Sequence, residues 1–298
     1  MKKITLSIIG LLFIISANCC DICGCSTGSY FIGPYSYFHK HFIGLRYTYR
    51  SFHTRMKEDG SQFSKDFYQT IELTGGWKIG KKWQLLAFVP FNLNKQSSDD
   101  GISLASGLGD ITLLANYNVF NKKNTANGKK IKQELWLGGG FKLPTGKFNA
   151  DEEELLPSAN NQPGTGSLDM LLSSTYSIRI NKWGFSTNAT YKINESAKDF
   201  KFGNRLDANL FGSYNIATQK VTYSPYAGIL FQNMEANSVS KILAEETGGK
   251  SLQGSAGIEI QIRKISFGTN IQLPIAESIS GGQTHSQVKG MVNVMFSL

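Results

Sequence analysis

The sequence predicts an all-β chain, a transmembrane antiparallel β-barrel of about 12 strands with both termini periplasmic. Three observations predict it. The chain opens on an export signal, its long segments alternate apolar and polar residues, and its connections alternate short and long.

The first residues read MKKITLSIIGLLFIISANC. Lys2 and Lys3 form a positive n-region, and Ile4 to Ala17 form an apolar stretch too short to cross a bilayer as a helix. Residues 1–19 therefore read as a secretory signal peptide, cut after Cys19 with Ala17 at the −3 position. Acylation of Cys19 or Cys20 is a competing reading, which Asn18 fits poorly. Export places the mature chain where disulfides form. No second long apolar run follows, so this is not a helical membrane protein. The net charge of +9 is moderate and spread along the chain without a dense Lys/Arg block, so no nucleic acid partner is implied.

Residues two apart in a strand share a face. In SQVKGMVNVMFSL, Val288, Gly290, Val292, Val294 and Phe296 share one face, while Gln287, Lys289, Met291 and Asn293 share the other. In KISFGTNIQL, Ile265, Phe267, Ile271 and Leu273 oppose Ser266, Asn270 and Gln272. The segments WGFSTNATYKI and LQGSAGIEIQIR behave alike. A soluble sandwich alternates too, but its strands are shorter and its outer face is rich in Lys and Glu. Here the polar face is Asn, Gln, Ser, Thr and Gly, which suits a wet lumen, and the segments are long enough to cross a bilayer when tilted.

Twelve strands are expected near 41–54, 66–79, 82–94, 108–120, 131–143, 167–181, 183–194, 203–216, 220–233, 251–263, 264–274 and 286–298. The connections GKK, NK, TQK and Arg263-Lys264 are short, whereas QSSDDGISLASG and FNADEEELLPSANNQPGTGS are long and polar. Short turns face the periplasm in such barrels. Only NKKNTANGKK is longer than its side demands. Trp77, Trp83, Tyr117, Tyr176, Trp183, Tyr214, Tyr223 and Phe296 fall near the short-turn ends on the apolar face, as a periplasmic aromatic girdle would.

Charged residues fall on the polar face: Arg46, Arg50, Glu72, Asp110, Lys132, Glu134, Lys142, Asp169, Arg179, Lys192, Asp207, Glu259, Arg263 and Lys289. Unpaired charge in a narrow lumen is costly, so most are expected to pair across it rather than line a pore. Twelve strands lie between barrels filled by side chains and barrels holding an open channel.

Three motifs, GLGDITLLANYNVF at 107–120, GGFKLPTGKFN at 139–149 and QPGTGSLDMLLSSTYSI at 162–178, occur in order. In them the sequence resembles, over residues 40–298, the outer-membrane channel family named after the meta-pathway of phenol degradation. That family shows a Gly-x-Gly-Asp strand start, a Leu-Pro-Thr-Gly strand end and a Gly-x-Gly-x-x-Asp strand start. The resemblance implies an outer-membrane barrel acting as a passive channel, without establishing phenol as its solute. Mechanically, the glycines permit positive φ where loops enter strands, and no helix follows that would make them nucleotide-binding.

The head of the mature chain lies outside that pattern. Residues 19–26 read CCDICGCS and hold every cysteine. Cys20, Cys23 and Cys25 have the spacing to meet one soft ion, Cu(I) or Zn(II), with His39 and His41 as further candidate ligands. A disulfide among them and a lipid anchor compete with that reading. Residues 20–40 form a Cys-rich periplasmic segment and a candidate plug, ahead of the barrel at 41–298.

Composition and pattern leave a channel or transporter for small molecules as the leading function, with a link to copper handling if the N-terminal cysteines bind Cu(I). It requires no cofactor. Its partners are the outer-membrane lipid bilayer, a small-molecule solute and the barrel-insertion machinery. A non-conducting structural or metal-sensing barrel is the alternative. A barrel-embedded lipid-modifying enzyme has only His53, His285 and Ser286 as candidates, without a clear acidic partner.

Overall fold

The computed structural model describes residues 41–55, 63–99, 101–126, 128–149 and 159–298. The signal peptide, the cysteine cluster, His39 and the candidate plug lie outside the described residues. Twelve strands build the wall: β1 (Phe42–Arg55), β2 (Phe63–Ile79), β3 (Trp83–Ser98), β4 (Thr112–Ala126), β5 (Lys129–Lys142), β6 (Asp169–Ile180), β7 (Trp183–Ile193), β8 (Arg205–Tyr214), β9 (Val221–Met234), β10 (Gly249–Ile262), β11 (Ile265–Ile279) and β12 (Lys289–Ser297). Each pairs antiparallel with the next, and β1 pairs with both β2 and β12. The sheet therefore closes on itself and the wall has no free edge, as a bilayer requires.

Parity decides which side chains face in. In β12, Val292, Val294 and Phe296 point outward and are exposed, while Lys289, Met295 and Ser297 are buried inside. In β1, Ile43, Leu45 and Tyr47 point out, and Phe42, Arg46 and Arg50 point in. The exterior is thus a band of exposed Leu, Ile, Val and Phe, which is stable only against lipid. Trp83 and Tyr117 sit directly opposite each other on β3 and β4 with ring centroids 5.0 Å apart. Trp183 and Tyr214 repeat the arrangement on β7 and β8 at 4.8 Å. Both pairs lie at the short-turn end.

The short turns use left-handed residues: Gly80 at φ 61°, Asn181 at φ 53° and Arg263 at φ 55°. Two connections differ from the sequence expectation. NKKNTANGKK is not a loop, because β4 continues to Ala126 and β5 begins at Lys129, leaving a hairpin that extends the wall at the short-turn end. Gly128, at φ 74°, takes the left-handed conformation that so tight a turn needs. At the other end, Gly101–Leu108 pairs back along residues 91–98 of β3 before β4 takes over at Phe88. The Gly, Ser and Asp residues at its turn read as a loop in sequence, although Ile102 and Leu104 in its second arm are exposed apolar strand residues.

Among the described residues, the connections at 194–204 and 235–248 pair with each other. Short strands Ser196–Ala197, Phe200–Lys201, Ser238–Val239 and Ile242–Leu243 form a separate small sheet over the long-loop end. Phe200 and Phe202, 4.8 Å apart, pack with Ala159, Phe148 and Val239 to fix it.

Candidate functional site: lumen and buried charge network

The three Gly-rich motifs converge on one buried cluster. Asp110, which precedes β4, accepts the Gly146 N–H at 2.9 Å, the Thr165 N–H at 2.9 Å and the Thr165 hydroxyl at 2.7 Å. The Lys142 ammonium, at the end of β5, lies 2.7 Å from Asp110 and 2.8 Å from Asp169 at the start of β6. It also donates to the Thr165 hydroxyl. Asp169 accepts from the Ser167 hydroxyl at 2.7 Å and from the Glu195 N–H at 3.1 Å, with Lys192 4.0 Å away. Asp110, Asp169, Lys142 and Lys192 are all buried here, where an uncompensated charge would be strongly destabilising, and Lys142 bridges the two carboxylates.

The glycines serve this cluster in two ways. Gly166 sits at φ 69°, as a loop entering a strand requires. Gly146 and Gly164 instead let two backbones touch, since a Cβ on Gly146 would lie 2.6 Å from the Gly164 Cα. Positive φ is thus only part of the motif's purpose.

The described segment 159–167 of the connection between β5 and β6 folds inward. Asn92 and Asn94, on the inner face of β3, donate to the carbonyls of Pro163 at 2.8 Å and Asn161 at 2.9 Å. Asn161 in turn donates to the Ser103 hydroxyl at 2.9 Å. These amide side chains replace water for a loop backbone lying inside the wall.

The remaining expected lumenal charges are placed as follows. Arg46 and Glu72, directly opposite on β1 and β2, pair at 2.5 Å, and the Thr74 hydroxyl donates to the same carboxylate at 3.0 Å. Lys132 pairs with Glu134 at 2.7 Å. Asp207 receives Arg205 and Gln232, each at 2.8 Å. Arg50, Glu259 and Lys289 are buried on the inner face, with the Lys289 ammonium 5.1 Å from the Phe52 ring centroid. Arg179 is exposed at the short-turn end of β6. Arg263 is corrected: it reverses the chain between β10 and β11 and is exposed in that turn, outside the lumen.

Large apolar side chains also face inward. Phe42, Leu86, Phe88, Leu114, Leu171 and Met295 pack into one cluster inside the barrel, contributed by five strands. Around part of the wall they alternate with glycine: Phe42 faces Gly76, Gly76 faces Leu86, Leu114 faces Gly140, and Gly140 faces Leu171. A Cβ on Gly76 would overlap the Phe42 ring, and one on Gly44 would overlap Met295. Phe211, Tyr226 and Leu230 form a second inner cluster on β8 and β9. The strand pattern did not reveal these clusters, because inward apolar residues break the polar parity singly.

Among the described residues no group of three or more His, Cys, Asp or Glu is placed to hold a metal ion. His41 accepts the Lys78 N–H at 3.3 Å through Nδ1, at the short-turn end. The catalytic candidates acquire the acidic partner that the sequence lacked: His285 Nδ1 lies 3.3 Å from Glu277, which also accepts the Ser286 N–H at 2.9 Å. They do not form a nucleophile and base, since neighbouring residues of a strand face opposite sides, with Ser286 buried and His285 exposed.

A closed twelve-strand barrel with an apolar exterior and a partly polar interior defines a transmembrane β-barrel of the outer-membrane class. The chain belongs to the family described as "Putative MetA-pathway of phenol degradation", which it matches over residues 44–277. Its fold is similar to that of an outer-membrane channel from Pseudomonas putida F1, with TM-score 0.63 and 16% identity over 87% of this chain and 96% of that one. It is also similar to the β domain of the Bordetella autotransporter BrkA, with TM-score 0.51 and 12% identity over 87% of this chain and 100% of that one. No curated protein matches the sequence significantly.

Proposed function

We propose that this protein is a passive channel of the outer membrane that carries small apolar or aromatic molecules through its lumen. The observation that carries the proposal is the inner cluster of Phe42, Leu86, Phe88, Leu114, Leu171 and Met295, each no more than 5% exposed, which closes part of the lumen with apolar side chains inside an otherwise amide- and hydroxyl-lined wall. A solute crosses only where these side chains part, and an apolar ring loses less than water or an ion on passing between them. The ion pairs of Asp110, Asp169, Glu72 and Glu134 cancel much of the lumenal charge, so the passage is not built to concentrate one sign of ion. The family's description and the channel of similar fold support the same reading.

No step of this function needs a catalytic residue, and the His285–Glu277 contact serves as a strand-end link. The test is efflux from proteoliposomes loaded with benzenesulfonate, an aromatic ion that lipid retains. The protein should release it much faster than protein-free vesicles do, and faster than it releases sucrose. Equal retention of both solutes with and without protein would favour a non-conducting structural barrel.

A further inference from the structure

The short-turn end carries a feature that passage through the lumen does not use. Each of the turns at 80–82, 128, 181–182, 215–220 and 263–264 bears, or is flanked by, exposed Lys or Arg. No Asp or Glu occurs in these turns or in the hairpin extension at 120–131. Lys81, Lys82, Lys182, Lys220, Arg263 and Lys264 form no ion pair with a described residue. The opposite end differs, since its exposed residues mix Glu195, Asp199, Glu235 and Glu246 with Lys241 and Lys250.

The cations are also fixed at a particular depth. The Lys82 ammonium donates to the Tyr117 hydroxyl at 3.0 Å and lies 5.4 Å from that ring's centroid. Lys264 lies 6.0 Å from the Phe296 ring, and Lys122 lies 5.7 Å from the Phe120 ring. Tyr117 and Phe296 belong to the outward aromatic belt, beside Trp83. Rings of this kind sit at the headgroup level of a bilayer, so ammonium groups held against them meet lipid phosphates rather than open solvent.

We propose that the short-turn rim is a binding collar for anionic glycerophospholipids of the adjoining leaflet. Lysine ammonium groups of the collar pair with headgroup phosphates, while the aromatic belt packs on the glycerol and upper acyl region. The collar rests on the barrel spanning a membrane, not on what passes through it, so it stands or falls independently of channel activity.

Native fluorescence tests it directly. Trp77, Trp83 and Trp183 face outward at this rim, 47%, 47% and 55% exposed, while Trp136 is 1% exposed inside the barrel. The protein is reconstituted in phosphatidylcholine vesicles containing equal mole fractions of either dibromo-acyl phosphatidylglycerol or dibromo-acyl phosphatidylcholine, and quenching is compared. The expected relative binding constant for phosphatidylglycerol is about three or more at low salt, falling towards one in about 0.5 M salt as charges are screened. A combined Lys82→Gln, Lys182→Gln, Lys264→Gln protein should lose the preference. A Lys95→Gln, Lys250→Gln protein, altered at the other end, should keep it. A constant of about one in the unaltered protein overturns the proposal, and is the result expected if the cations serve the cell wall or a soluble partner instead. Equal loss of preference in both variant proteins overturns it as well.

Discussion

Lys142 and Asp169 stand directly opposite each other at the first rung of the β5–β6 ladder, with ammonium and carboxylate 2.8 Å apart. Asp110 closes the arrangement from β4's approach, 2.7 Å from the same ammonium. One lysine thus joins three strand ends and the loop that folds inward between two of them.

Removing it should be costly. Lys142→Met leaves two carboxylates close together in a dry site and should destabilise the protein by about 3–5 kcal/mol. Urea unfolding in lipid vesicles, followed by tryptophan emission, measures this. A loss under about 1 kcal/mol would mean that water reaches the cluster freely.

The Arg46–Glu72 pair gives the opposite expectation when both members go. Arg46→Met with Glu72→Met removes two desolvated charges together and should change stability by only about 1 kcal/mol or less, whereas Arg46→Met alone should cost about 3 kcal/mol or more. The same unfolding assay distinguishes these outcomes, and equal losses in the single and double variants would contradict the pairing.

Lipid-facing parity makes a third prediction. Val292 is exposed on the outer wall, so Val292→Arg should cost about 2–4 kcal/mol in lipid. Asn293, the next residue, lies opposite Arg46 inside the barrel, so Asn293→Asp places a carboxylate beside a cation and should be tolerated. Asn293→Arg is a poorer comparison, because it would set two guanidinium groups side by side. Similar folding yields for Val292→Arg and Asn293→Asp would contradict the assignment of faces.

Orientation yields a fourth. The segment containing Asp151, Glu152, Glu153 and Glu154 belongs to a long connection, and the pair Lys81-Lys82 to a short one. A glutamyl-specific protease added to intact cells should cut the first. Trypsin should reach Lys81-Lys82 only after the outer membrane is permeabilised. Tryptic cleavage there in intact cells would reverse the orientation.

The wall was legible because lipid imposes a strict period: residues such as Val292, Val294 and Phe296 must all be apolar when nothing but acyl chain lies outside. The charge network was legible only in part. Asp110 and Asp169 stand out in Gly-rich motifs, but Thr165 is joined to Asp110 by loop geometry and Lys142 to Asp169 by strand register, and neither shows as a spacing in the sequence. The docking of the 159–167 segment on Asn92 and Asn94 leaves no sequence pattern, since any backbone carbonyl can accept from an amide. The basic rim was hidden for a related reason: turns far apart in sequence supply one or two cations each, and only closure of the barrel gathers them.

The most direct test of the central claim is single-channel recording in planar bilayers of the unaltered protein and of Leu86→Ala with Phe88→Ala, which trims the inner apolar cluster. The unaltered protein should give small, discrete conductance steps, and the trimmed protein larger ones with unchanged folding. Absence of steps from the unaltered, correctly folded protein across repeated insertions would contradict a passage through this lumen.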